Sequence, residues 1–203
     1  MSEEKRKKAI QIIRKAKGVV RMSEALELGI HRRELYELRD SGDLEVLDKG
    51  LFRLREMPEP AIPDFIPVSK KIPEGIICLI SALSFHKITT QIPHFVYVAL
   101  PSHAYKPIIR HPPMKYFWYS KKALETGVEE HTIDGYSIKI FNIEKTLVDC
   151  VKFRNKIGMD IVLEALRMYW HLRKTNMTRL MEYAKLFRVE RVLKPIMEAI
   201  SSD

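Results

Sequence analysis

The chain of 203 residues carries 35 Lys and Arg against 26 Asp and Glu, a formal net charge of +9, and is 46% hydrophobic and 30% charged. So much apolar material excludes a disordered chain, and the length suits two ordinary domains better than one. The basic balance favours polyanionic partners such as nucleic acid, and no run approaches the roughly 18 apolar residues of a membrane span, so a soluble, cytoplasmic protein with no membrane partner is expected.

In chain order, residues 1–57 read as helix, short strand, helix, turn, helix and hairpin. Ala9, Ile10, Ile13 and Ala16 form a helical stripe that Gly18 ends, and Val19-Val20-Arg21 is a short extended link. A second helix is expected from Ser23, whose hydroxyl can cap it, through Ala25, Leu26 and Leu28 to Gly29. After the Gly29-Ile30 turn, a third helix from His31 to Ser41 directs Leu35 and Leu38 inward, and Gly42 stops it. Leu44 to Leu47 and Leu51 to Leu54 are short strands joined across Asp48-Lys49-Gly50, where glycine supplies the positive φ of a three-residue hairpin loop.

Projecting the third helix at about 100° per residue, with Leu35 and Leu38 on the buried side, sends Arg33 and Tyr36 to the opposite side and Arg32 and Arg39 to one flank. His31 leads. Two helices joined by a short glycine turn, the second with long polar side chains at its front, make a helix-turn-helix able to lay those residues into a major groove, and the hairpin is its wing. The expected DNA-binding set is therefore His31, Arg32, Arg33, Tyr36 and Arg39 on the helix, with Lys49 at the wing tip and Arg53 on its strand reaching phosphate. Arg21 and the front of the second helix at Ser23 anchor the neighbouring backbone. An arginine that reads guanine with two bonds adds about 1–3 kcal/mol of discrimination. Glu34, Glu37 and Asp40 lower the potential of the same helix, which disfavours charge-only binding and keeps open a winged helix used as a protein-interaction module.

From Met57 to Gly75 the chain holds prolines 58, 60, 63, 67 and 73, so the domain boundary is placed near Pro58 and residues 58–75 form a connector. Asp64 can cap a short helix there, with Pro67 in its tolerant first turn. Residues 1–56 hold 14 basic against 11 acidic side chains and residues 57–203 hold 21 against 15, so both parts are possible anion-binding surfaces.

Residues 76–203 read as a mixed α/β domain, giving an α+β chain that ends in several helices. IICLISALSFHKI is expected as a helix, and HFVYVAL (94–100) and KYFWYS (115–120) as strands. VEEHTI and YSIKIF flank Asp134-Gly135, the strongest hairpin signal in the chain. Asn142 caps a helix bearing Ile143, Leu147, Cys150 and Val151. Three further helices turn inward Val162, Ala165, Leu166 and Tyr169, then Leu180, Tyr183, Ala184 and Phe187, then Val192, Ile196 and Ile200.

GVVRMSEALELGIHRRELYELRDSGDLEVLDKGLFRL, the Pro-rich segment, IPEGIICLISALSFHKITTQIPHFVYVALP and DGYSIKIFNIEKTLVDCV, in that order, resemble the AbiEi family of abortive-infection antitoxins over nearly the whole chain. The resemblance implies an N-terminal winged helix-turn-helix that represses its own operon by binding operator DNA, and a C-terminal domain required for antitoxin action. It also implies a neighbouring nucleotidyltransferase-type toxin opposed without a stable complex. By alignment of the turn glycine and the two leucines, the family's winged-helix positions fall on Arg32, Arg33 and Tyr36. No catalytic residue is part of the recognised pattern, and no enzyme activity is expected.

Other chemistry is weakly signalled. His86, His94, His103, His111, His131 and His171 lack any HExxH or HxxxH spacing, and eight glycines leave no GxSxG, Walker or GxGxxG loop, so no metal or cofactor is expected. A metal-dependent nuclease built on Glu129, Glu130, Asp134 and Lys139 is the enzyme alternative, weakened because alternation sends the two glutamates to opposite faces. Cys78 and Cys150 lie in apolar runs and read as buried free thiols. Asp149, among apolar neighbours, needs a lysine, arginine or backbone donor. Tyr97, Tyr105, Tyr116, Phe117, Trp118 and Tyr119 read as core rather than as base-stacking platforms. Arg173, Lys174, Arg179, Lys185, Arg188 and Arg191 form a possible second nucleic-acid surface on the C-terminal helices.

Overall fold

A computed structural model describes residues 1–172 and 175–202. The chain divides into two compact units. The first comprises Met1–Pro73 together with two later segments, Pro107–Pro113 and Thr132–Ile138. The second comprises Glu74–Lys106, Met114–His131 and Lys139 onward.

In the first unit, α1 (Glu3–Lys15) begins at Ser2, whose hydroxyl accepts from the Lys5 amide. Lys17 and Gly18, both at positive φ, return their amides to Arg14 and Ile13 and close the helix. Then come β1 (Val19–Arg21), α2 (Met22–Glu27), α3 (Arg32–Asp40), β2 (Leu44–Asp48) and β3 (Leu51–Leu54). α2 and α3 end alike. Gly29 and Gly42 take the left-handed conformation, and the amides of Ile30 and Asp43 reach back to the carbonyls of Ala25 and Leu38. The strands form an antiparallel sheet in the order β1-β3-β2, with Val20 opposite Phe52 and Val46 also opposite Phe52. One core joins them: Ala9 and Ile13 from α1, Ala25 and Ile30 around the turn, Leu35 and Leu38 from α3, and Leu44, Phe52 and Leu54 from the hairpin. This is a winged helix-turn-helix.

Two capping expectations are corrected. Ser23 does not cap α2; Arg21 holds the cap position, and its amide is accepted by the Glu24 carboxylate at 3.3 Å. Leu26 and Leu28 stay exposed, because Ala25 and Ile30 already fill the space under the short helix. Asp64 sits before α4 (Phe65–Lys71) without a capping bond, and the amides of Phe65 and Ile66 turn instead to the carbonyls of Ile62 and Pro63. Phe65, Ile66, Val68 and Ile72 are buried, which draws the proline-rich segment into the first unit up to Pro73.

The second unit is built on a five-stranded mixed sheet in the order β6-β5-β4-β8-β7. Its elements are β4 (Ile76–Ile77), α5 (Leu79–Phe85), β5 (Val96–Pro101), β6 (Met114–Tyr119), α6 (Lys121–Glu125), β7 (Val128–Ile133) and β8 (Tyr136–Phe141), of which Thr132–Ile138 count with the first unit, then α7 (Ile143–Lys152), α8 (Arg154–Ile157), α9 (Met159–Trp170), α10 (Met177–Leu186) and α11 (Glu190–Ser202). The expected helix from Ile76 starts later. Ile76 and Ile77 pair with Ala99 and Val98 as a central strand, Cys78 stays extended, and the helix begins at Leu79. The apolar run Ile76–Ile80 satisfies either geometry, and long-range pairing decided. The β7–β8 turn has Asp134 and Gly135 both at positive φ, and Asn142 caps α7 by accepting from the Lys145 amide at 2.9 Å.

α7 packs against α5, α9 and α10. On α9 the buried stripe is Val162, Ala165, Leu166 and Tyr169. On α10 only Leu180 and Ala184 are fully buried, and on α11 the stripe is Leu193, Met197 and Ile200, with Val192 and Ile196 half-buried beside it. Tyr97, Phe117 and Tyr119 face the core, strand alternation turns Trp118 outward, and Tyr105 is exposed beyond the end of β5. Asp149 finds its partner in Lys145, one turn earlier on the same helix, and both are buried. Burial pushes the thiols of Cys78 and Cys150 up. Among the described residues no helix is long and apolar enough to cross a membrane, and no cluster of three His, Cys, Asp or Glu side chains could hold a metal ion.

Candidate nucleic-acid interface

The front of α3 is set by its capping. His31 occupies the cap position, and its amide is accepted by Glu34 at 2.8 Å, so the helix starts one residue later and Arg32 and Arg33 are its first two residues. Leu35 and Leu38, wholly buried, fix the rotation of the helix. The arginines diverge from there. Arg33 is 88% exposed and pairs with Glu37 one turn on at 2.8 Å. Arg39 binds Asp40 at 2.7 Å and lies 4.8 Å from the centre of the Tyr36 ring, which stands edge-on to Phe52. Arg32 is exposed and makes no ion pair among the described residues.

On the Arg32 side lies a cleft of about 520 Å³ lined by Arg21, Met22, Ser23 and Leu26 of β1 and α2, Arg32 of α3, Lys49 and Gly50 of the wing tip, Lys71, and Pro107 to Ile109. Its lining holds four cations and no carboxylate. The structure thus gathers Arg21, Ser23, Arg32 and Lys49 from the expected set into one concavity. His31 and Arg33 line a different groove with Glu34 and Glu37. On that side Lys5, Arg33 and the N-terminal amine share the groove with two carboxylates, and Glu37 pairs with both Arg33 and that amine.

Arg53 is corrected. Only 8% exposed, it binds Glu45 and the carbonyl of Met57, so it braces the wing and cannot extend to a phosphate. β3 is the middle strand, and its side chains are covered on both faces. The wing tip is oriented from below. Asp48 accepts from Lys71, and from the Arg110 amide at 3.3 Å, while Lys71 also donates to the Lys49 carbonyl at 2.8 Å. Burial pushes the Asp48 carboxyl up, yet the Lys71 ammonium and the amides of Lys49 and Arg110 outweigh it and hold the group below its ordinary value. Lys71 and Pro107–Ile109 escaped the sequence reading because both reach the wing from far along the chain.

In the second unit, Arg173 and Lys174 lie outside the described residues. Arg179 is 3.7 Å from Glu144 and Lys185 is 3.7 Å from Glu190, which tempers their charge. Arg188 and Arg191 are exposed without an ion pair among the described residues.

Residues 7–55 match the family described as a transcriptional regulator, AbiEi antitoxin. That span runs from α1 to the end of the wing, so the likeness to this regulator family lies in the winged helix-turn-helix. No curated protein matches the chain. Among solved structures, the crystal structure of RV2827C protein from Mycobacterium tuberculosis superposes with a TM-score of 0.60 over 87% of this chain and 69% of its own, at 14% identity, which shows a shared fold.

Proposed function

We propose that this protein is a sequence-specific DNA-binding repressor that serves as the antitoxin of a toxin–antitoxin operon and autoregulates its own promoter. The observation that carries this reading is the cleft between α3 and the wing, whose lining holds no carboxylate and whose Arg21, Arg32 and Lys49 fall within the segment that matches a regulator family. On this reading α3 enters the major groove front first, Arg32 reads a base edge, and Lys49, Arg21 and the amides at the front of α2 hold the flanking phosphates. Arg33 contributes after exchanging Glu37 for DNA, a small cost because an exposed ion pair is worth about 0–1 kcal/mol. The partner toxin is of nucleotidyltransferase type and is opposed without a stable complex.

The test is a mobility shift with the DNA upstream of the gene against a random duplex of equal length. Arg32→Ala should lower the preference for the upstream DNA, since a bidentate arginine supplies about 1–3 kcal/mol of discrimination. Lys49→Ala should weaken both complexes alike and reduce the salt slope by about 0.9. Equal retardation of both duplexes by the wild-type protein would reject sequence-specific repression. A second reading, a winged helix that neutralises a protein partner by contact, draws on the Arg33–Glu37 ion pair on the exposed side of α3, and co-purification with the product of the adjacent gene would favour it.

A further inference from the structure

Ile108 is 90% exposed, and its neighbours Pro107 and Ile109 line the same cleft as Arg32 and Lys49. A lone exposed aliphatic residue is ordinary on a protein surface. Three features set this one apart. The first is tethering: the amide of Arg110, two residues on, donates to the buried Asp48 carboxylate at the root of the wing, and Lys71 binds both that carboxylate and the carbonyl of the wing-tip residue Lys49. The second is stiffness, for prolines 107, 112 and 113 frame the segment and Pro112 is buried. Presenting Ile108 therefore costs little chain entropy. The third is charge, since the apolar tip rises from a lining of Arg21, Arg32, Lys49 and Lys71 without a carboxylate, and Arg110 beside it is exposed.

An apolar protein partner would gain nothing from Arg21, Arg32 and Lys49, which make no ion pair among the described residues, whereas a nucleic-acid duplex offers phosphates to the rim and a stacked, apolar interior to the tip. We infer that Pro107–Ile109 is a third DNA-contacting arm beside the recognition helix and the wing, and that Ile108 is a wedge that enters a base step and bends the duplex. The inference rests on the DNA-binding reading above. Side chains of this kind, on arms beside a cationic surface, open base steps and kink DNA by about 20–90°. The arm would favour flexible pyrimidine–purine steps at the place it enters, adding sequence preference where no base edge is hydrogen-bonded.

The experiment uses the full chain and the upstream DNA, carrying donor and acceptor dyes at its ends and, in a second set, 2-aminopurine at successive positions. Wild-type protein should shorten the end-to-end distance and raise 2-aminopurine fluorescence at one step. Ile108→Ala should abolish both signals and lower affinity about tenfold, the loss expected when a buried aliphatic contact is removed. Ile108→Leu should keep them. Because Ile108 touches no core, each variant should retain the wild-type circular dichroism and melting temperature. If wild type binds the upstream DNA selectively and Ile108→Ala bends it and unstacks it to the same degree, the wedge is overturned and the repressor reading stands. If wild type shows no preference for the upstream DNA, the repressor reading falls and the arm with it.

Discussion

Replacing Lys145 by Met tests the most consequential buried interaction of the second unit. The Lys145 ammonium and the Asp149 carboxylate are 0% and 1% exposed, and the ammonium also lies 4.2 Å from the ring centre of Phe141, 4.7 Å from Phe187 and 4.9 Å from Tyr119. Methionine refills most of the volume but strands Asp149 among apolar groups, so the variant should lose about 3–5 kcal/mol at pH 7. Burial already raises the Asp149 carboxyl with Lys145 in place, and removing the ammonium raises it further. A carboxyl whose folded pKa exceeds its unfolded value makes the folded state bind more protons, so stability of the variant falls as pH rises between the two values. Between pH 5 and pH 7 the loss should therefore grow by up to about 2.7 kcal/mol, at 1.36 kcal/mol per unit. The double variant Lys145→Met with Asp149→Leu should recover most of the stability, because no unpaired charge remains. Urea unfolding followed by tryptophan fluorescence reads this unit alone, since both tryptophans, Trp118 and Trp170, lie in it. A single variant within about 0.5 kcal/mol of wild type at pH 7, or one whose loss grows as pH falls, would refute the reasoning.

The remaining expectations concern the first unit. Glu24→Ala should cost about 1 kcal/mol in thermal melts because Glu24 accepts from the Arg21 amide and from Lys70, whereas Ser23→Ala should stay within about 0.5 kcal/mol. Arg53→Ala should lower the melting temperature yet leave the upstream-DNA affinity of the folded protein intact at 10 °C, roughly, unlike Lys49→Ala; a selective loss of affinity would restore Arg53 to the interface. Asp43, paired with Arg6 and Ser41, and Asp48 both titrate below their ordinary value, so their contribution is complete above about pH 4 and lost as pH falls through the folded values. Loss of the Gly42 and Gly50 amide resonances in that acid window would report it, and unchanged spectra down to about pH 2 would deny it. Glu37→Gln removes the counter-charge of Arg33 and should tighten binding to random duplex, with a steeper salt slope.

Local chemistry determined the order of elements. Glycines at 29, 42, 50 and 135 take left-handed backbone where turns were expected, Asn142 caps its helix, and Leu35 and Leu38 point inward, because each depends on residues within a few positions. Motif order suggested a resemblance to the AbiEi family over nearly the whole chain, and the family match covers residues 7–55 of it. The candidate site was legible only in part. Sequence spacing put Arg32 and Arg33 on one helix front and Glu37 one turn from Arg33, but only packing showed that Arg32 opens onto a cleft with Lys49 and Arg21. Arg53 looked available on a wing strand, and its middle position in the sheet buried it. Ile76 and Ile77 suited a helix until Ala99 and Val98 offered a strand to pair with. Lys71, Asp48 and Pro107–Ile109 meet across long spans of chain, and contacts that are closed by the folded core rather than by neighbours in sequence leave no periodicity to read.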